Sequence, residues 1–80
     1  MEARMSSALK HDYSPVELWF TDDKDGVRRL MNTIKDTSRF FGFKAPNLDT
    51  LEGRIKCAEI LRDGWINQGK KKGKWEIVTN

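Results

Sequence analysis

Four lysines crowd the last part of this chain: Lys70, Lys71 and Lys72 run together between Gly69 and Gly73, and Lys74 follows. Ammonium groups on a glycine-bracketed loop are mobile point charges suited to the phosphates of a nucleic-acid backbone, and Trp65 and Trp75 on either side could stack on unpaired bases. The ordinary alternative is a solvated hairpin tip with two core tryptophans. Arg28, Asn32, Lys35 and Arg39 form a second candidate set, spaced i, i+4, i+7 and i+11 along one face of a helix. Arginine and asparagine make the bidentate contacts to guanine and adenine in the major groove. A helix carrying them is a candidate reader of bases, while Asp36 nearby gives the mixed charge of any exposed helix face.

Other chemistry finds less support. The acidic turn Thr21–Gly26 loosely resembles a calcium loop, with Asp23, Asp25 and Gly26 at positions three, five and six. Thr21 and Asn32 stand where the first acid and the bidentate glutamate belong, so turn and cap formation is the expected role. Cys57, the one cysteine, has no disulfide partner within the chain and sits at a helical position, where a small thiol packs as a hydrophobe. The one histidine, His11, lies beside Asp12 and Tyr13 in a segment without periodicity, not in a supported cleft. No phosphate loop, nucleophile elbow or metal-ligand spacing is present. The chain is therefore expected to bind rather than catalyse, and to use no cofactor, metal or small-molecule substrate.

Composition sets the frame for these residues. Eighty residues allow one domain, and 38% hydrophobic with 34% charged residues is too apolar for a disordered tail and too polar for a membrane span. The N-terminal residues lack the apolar core of a signal peptide, so a cytoplasmic protein with no membrane partner is expected. Net charge is only +3, but its placement is uneven. Residues 1–40 hold seven bases and seven acids, residues 41–63 four of each, and residues 64–80 four lysines against Glu76.

The elements that would position the candidate residues follow from periodicity and caps. Residues 1–13 are expected to be a flexible N-terminal arm, and residues 14–80 a single small helical domain with a basic C-terminal hairpin. Ser14-Pro15-Val16-Glu17 has the form of a helix start and predicts a short first helix to about Asp22. Val27, Leu30, Met31, Ile34 and Phe41 match one buried stripe of a second helix over about Gly26–Phe41, with Asp25 as its cap and Gly42 closing it. Asn47 or Asp49 is expected to cap a third helix, with Leu48, Leu51, Ile55, Ala58, Leu61 and Trp65 on its apolar face, ending at Asp63-Gly64. Trp75, Ile77 and Thr79 alternate with Lys74, Glu76 and Val78 as in a half-buried strand, whose hairpin partner would lie at about Gly64–Asn67.

The predicted fold is therefore mainly α (α+β): a three-helix bundle followed by a C-terminal two-stranded β-hairpin. In element order alone, over roughly residues 14–79, this resembles a winged helix-turn-helix, in which the third helix enters the major groove and a basic wing touches the backbone. Glu52, Glu59 and Asp63 make the third helix a poor groove reader, with Arg54, Lys56 and Arg62 only offsetting them.

Two functions are expected in order. The first is a small regulatory nucleic-acid-binding domain, for DNA or RNA, anchored by Lys70–Lys74. The alternative is a small adaptor, subunit or inhibitor that docks on a larger protein, or a homodimer. Trp19-Phe20 and Phe40-Phe41 are consecutive pairs that cannot both point inward from one helix, so one of each pair is expected at an exposed or interface position.

Overall fold

The computed structural model describes residues 14–69 and 72–79. The expected arm over residues 1–13, and with it His11, lies outside the described residues, as do Lys70 and Lys71.

The chain forms three strands and one helix: β1 (Val16–Asp22), β2 (Arg28–Ile34), α1 (Leu51–Asn67) and β3 (Gly73–Thr79). The strands make one antiparallel sheet in the order β2-β1-β3. Because both outer strands run antiparallel to β1, they run parallel to each other, and the segment containing α1 crosses from one edge of the sheet to the other. The helix packs on one face and touches all three strands. This overturns the three-helix bundle with a hairpin, and removes the winged helix-turn-helix comparison together with the nucleic-acid reading drawn from it.

The first expected helix is β1. Val16, Leu18 and Phe20 are fully buried, while Glu17, Trp19 and Thr21 lie between them on the opposite face. This is the period of two that a half-buried strand requires. Pro15 precedes the first strand residue, a position where its missing N–H breaks no ladder.

The second expected helix is β2 followed by a long connection. Val16 pairs with Ile34 and Leu18 with Asn32, but Trp19 pairs with Leu30, so Met31 is an extra residue at a β-bulge. A bulge shifts the phase of a strand by one residue. Its Leu30-Met31-Ile34 spacing therefore imitates a helical stripe. The imitation fails in space: Ile34 is buried, whereas Val27 and Leu30 are each 46% exposed and Phe41 is 93% exposed.

The third expected helix is α1. Thr50 is its cap, with extended backbone and a hydroxyl oxygen that accepts from the Gly53 amide at 3.0 Å. Asn47 braces the entry, accepting from the Asp49 amide at 3.0 Å through its side chain and from the Thr50 hydroxyl at 3.2 Å through its carbonyl. The helix runs through Asp63-Gly64 to Asn67 and thereby takes up the residues expected to begin a hairpin. Gln68 is its C-cap, and Gly69 follows with a φ of 66°, the left-handed conformation that glycine adopts without strain. β3 forms over the predicted alternating segment, but its partner is β1.

Val16, Ile34, Leu48, Cys57 and Ala58 make the core cluster, with Phe40, Phe43, Leu51, Ile55, Leu61 and Ile77 packed around it. Burial pushes the Cys57 thiol above its ordinary pKa, so it stays protonated at neutral pH. Arg54, read from sequence as one of the cations offsetting the acids of the third helix, is fully buried and donates to the Leu48 carbonyl at 2.8 Å.

Two helical glycines have opposite surroundings. A Cβ on Gly53 would stand 1.6 Å from the Asn47 carbonyl oxygen, whereas one on Gly64 would meet nothing within 4 Å. Alanine exceeds glycine in helix propensity by about 1 kcal/mol. Gly64→Ala should therefore raise stability by roughly 0.5–1 kcal/mol, whereas Gly53→Ala should lower it by about 1–3 kcal/mol as the helix entry is forced apart. Urea unfolding of the two variants against the parent checks both signs.

Candidate functional site

The pairing register assigns each strand residue to a face. Glu17, Trp19 and Thr21 of β1 share the open face with Arg28, Leu30 and Thr33 of β2 and with Lys74, Glu76 and Val78 of β3. Asn32 pairs with Leu18 and so belongs to the face covered by α1. Lys35 follows Ile34, at the end of the sheet opposite Arg28, about 20 Å away at 3.3 Å per strand residue, and Arg39 lies outside the sheet in the connection to α1. The four residues expected on one helical face are thus distributed over two faces, two ends and the connection.

Arg28 already has partners. Its guanidinium carbon lies 4.0 Å from the centroid of the Trp19 ring, and its Nε is 3.1 Å from Glu76 Oε1. The Trp19 indole N–H donates in turn to Glu17 Oε1 at 2.9 Å. Together these side chains cover a tryptophan that the helix does not reach, using the attraction of a cation for a ring face.

Lys74 stands across Thr21 from Arg28, so those two do share one end of the open face. Lys72 is held nearby through its carbonyl, which accepts from the Asp23 amide at 3.0 Å. The same end carries the β1–β2 turn with its acids. Asp22 Oδ1 accepts from the Lys24 amide at 2.7 Å, and Asp25 accepts from the Val27 amide at 2.8 Å and from Arg29 Nη2 at 2.7 Å. Arg29 first, and then the Val27 amide, hold the Asp25 carboxyl below its ordinary pKa. Their contribution to stability is present above the unfolded carboxylate pKa and is lost as pH falls through the lowered value. The acids are thus turn-forming groups. A cavity of about 280 Å³ between Asp22, Lys24, Gly69 and Lys72 mixes both signs of charge. The described part of this end is a mixed-charge surface rather than a basic one.

The flanking tryptophans also separate. Trp75, partly buried, packs on Phe20 with ring centroids 4.5 Å apart, on the helix-covered face of the sheet. Trp65 lines a different feature, an open groove of about 350 Å³ on the helix-bearing side of the molecule. Phe41 and Phe43 form one wall of this groove, and Ile60, Leu61, Gly64 and Trp65 form the other. Asn32 and Gln68 supply its amide groups.

The connection from β2 to α1 builds the first wall. Phe40 and Phe43 stack with centroids 5.7 Å apart and pack on the core. Phe41 points away from them and is 93% exposed. Consecutive aromatics thus divide between interior and surface, as their adjacency requires. Ile60, Leu61 and Gln68 were not singled out from sequence as site residues. Leu61 and Trp65 were placed from sequence on the apolar face of the third helix, and what that reading lacked was Phe41 and Phe43 lining the same groove.

Comparison with models of known families, with curated proteins and with solved structures gave no match. Among the described residues, no helix is long and apolar enough to cross a membrane. No group of three or more His, Cys, Asp and Glu side chains among them is arranged to hold a metal ion.

An exposed phenylalanine that contributes nothing to the core should be replaceable. Phe41→Ser should change unfolding free energy by less than about 0.5 kcal/mol, whereas Phe43→Ala, which removes a ring packed on the core, should cost roughly 1–3 kcal/mol. Chemical denaturation followed by circular dichroism separates the two.

Proposed function

We propose that this domain is a non-enzymatic protein-interaction module that docks on a larger protein by accepting apolar side chains of its partner into the groove beside Phe41. The observation that carries this reading is the 93% exposure of Phe41 at the lip of an apolar groove already lined by Phe43, Ile60, Leu61 and Trp65. A large apolar ring held in water beside other apolar groups gains free energy when a partner covers it, and anchors of this kind in pockets dominate interface energetics. The groove's amide groups, from Asn32 and Gln68, provide directional contacts within an otherwise apolar lining.

The nucleic-acid alternative draws on the lysine loop, of which Lys72 and Lys74 are described and stand among Asp22, Asp23 and Glu76. The base-reading helix proposed for Arg28, Asn32, Lys35 and Arg39 does not exist. Nucleic acid is therefore the competing outcome of the test.

A library of random twelve-residue peptides, selected on the parent protein after depletion on Phe41→Asp, examines the reading directly. Selected peptides should carry two or more large apolar residues, bind Phe41→Asp at least about tenfold more weakly, and shift the backbone amide resonances of Ile60, Leu61, Gly64 and Gln68. Selected peptides that bind parent and variant alike would contradict the groove reading. So would micromolar, salt-sensitive binding of duplex or single-stranded oligonucleotides that is lost on changing Lys72 and Lys74 to glutamate.

A further inference from the structure

The connection that bears Phe41 is also basic, although its cations are not themselves among the residues that line the groove. Between Lys35 and Lys44 the chain carries three exposed cations, Lys35, Arg39 and Lys44, against a single, partly buried acid, Asp36. Arg39 keeps its guanidinium at the surface by donating to the Thr37 and Ser38 carbonyls at 3.0 and 3.4 Å, bonds that leave its charge without compensation from those partners. Arg39 is two residues from Phe41 and Lys44 is three. Their Cα atoms therefore lie within about 7 and 11 Å of that of Phe41, since a chain spans at most about 3.6 Å per residue. Those separations are comparable with the screening length of about 8 Å at physiological salt.

The helical wall does not cancel this charge. At about 100° per residue, Ile60, Leu61, Gly64, Trp65 and Gln68 form one side of α1, and Glu59 and Asp63 turn away from it. Asp63 is also paired with Arg62, with Nε and Oδ1 3.2 Å apart. The groove's lining is consequently apolar apart from the amides of Asn32 and Gln68, with exposed cations on the connection beside it and no acid on the helix face that lines it. The C-terminal turn of α1, which holds Gln68, carries no basic residue, so its carbonyl end disfavours an anion there.

Resting on the docking reading above, we infer that the natural occupant is an acidic amphipathic segment of a partner protein. Its apolar side chains enter between Phe41 and Trp65, and its carboxylates lie along Lys35, Arg39 and Lys44. The orientation follows from the two charges: the acids face the connection wall and avoid the Gln68 end of the helix. Charge complementarity of this sort raises the association rate and rejects basic competitors, while the apolar contacts hold the complex.

Two fluorescent fourteen-residue peptides test this, with identical leucine and phenylalanine anchors and with either glutamate or lysine at every other position. They are titrated by anisotropy into the full chain, into Phe41→Ser and into the triple variant Lys35→Glu, Arg39→Glu, Lys44→Glu. All four substituted positions are exposed, and circular dichroism verifies that the variants fold. The parent should bind the acidic peptide about tenfold or more tightly than the basic one, with the ratio shrinking in high salt. The triple variant should reverse the preference, and Phe41→Ser should weaken both peptides.

Equal affinities, or a preference for the basic peptide in the parent, with both still dependent on Phe41, would overturn the acidic occupant and leave the groove standing. Indifference of both peptides to Phe41→Ser would remove the groove reading and this inference together. Displacement of the acidic peptide by a single-stranded oligonucleotide would reassign the basic wall to phosphate, and so overturn it as well.

Discussion

β1 is the central strand, and it must satisfy two neighbours and one helix at once. Its backbone pairs with β2 on one edge and β3 on the other, and its inward side chains Val16, Leu18 and Phe20 are removed from water completely. Burying each such side chain contributes about 1.5–3 kcal/mol, a large share of what a domain this small can assemble. A one-residue slip would turn all three outward and bring Glu17, Trp19 and Thr21 in. The bulge at Met31 is compatible with this constraint because it changes the phase of β2 and leaves that of β1 untouched.

A single helix covers one face of the sheet, so the other must tolerate water. That face solves the problem with its own side chains: Arg28 lies on Trp19, Glu76 holds Arg28, and Glu17 holds the indole N–H. The covered face leaves a different remainder. α1, at 17 residues, is about 25 Å long. Its first half meets the core through Arg54, Cys57 and Ala58, and of its later turns Leu61 still packs against it. The connection from β2 places Phe40 and Phe43 on the core and carries Phe41 outward, opposite those later turns. The groove is what remains between a helix and a loop that are each anchored elsewhere, by the close approach of Asn47 to Gly53 at one end and by Ile34 at the other.

Legibility in the sequence followed the separation between local and long-range causes. The polar entry of α1 and the alternation of β3 are local signals, and both elements were placed from them, although the cap is Thr50 rather than Asn47 or Asp49 and the helix continues past Gly64 to Asn67. β1 was misread because Ser14-Pro15-Val16-Glu17 has the form of a helix start and Trp19 blurs the alternation of Val16, Leu18 and Phe20. Burial against α1 and pairing on both edges outweigh a cap worth about 1 kcal/mol. β2 was misread because a bulge gives apolar residues helical spacing, and its position depends on the partner strand. The candidate site suffered accordingly. Phe41 was noticed as one of an adjacent aromatic pair and Trp65 as a flank of the lysine loop, but no pattern within either segment announces that they line one groove.

Charge type was a still weaker guide than spacing. Arg28 and Arg54 are both arginines in a basic chain, yet one covers an indole ring and the other is buried against a backbone carbonyl. Lys35, Arg39 and Lys44 are chemically ordinary by comparison. What distinguishes Arg39 and Lys44 is an exposed ring within three residues, at a groove whose lining residues include no acid. An electrostatic field steers a partner before contact, whereas apolar contact holds it afterwards, and both cations stand within three residues of the exposed Phe41 ring. At the lysine loop the charge is greater in sequence, but the described part of that end interleaves it with Asp22, Asp23, Asp25 and Glu76. Recognition is therefore better supported where a modest charge adjoins an uncovered apolar surface than where a larger one is interrupted by acids.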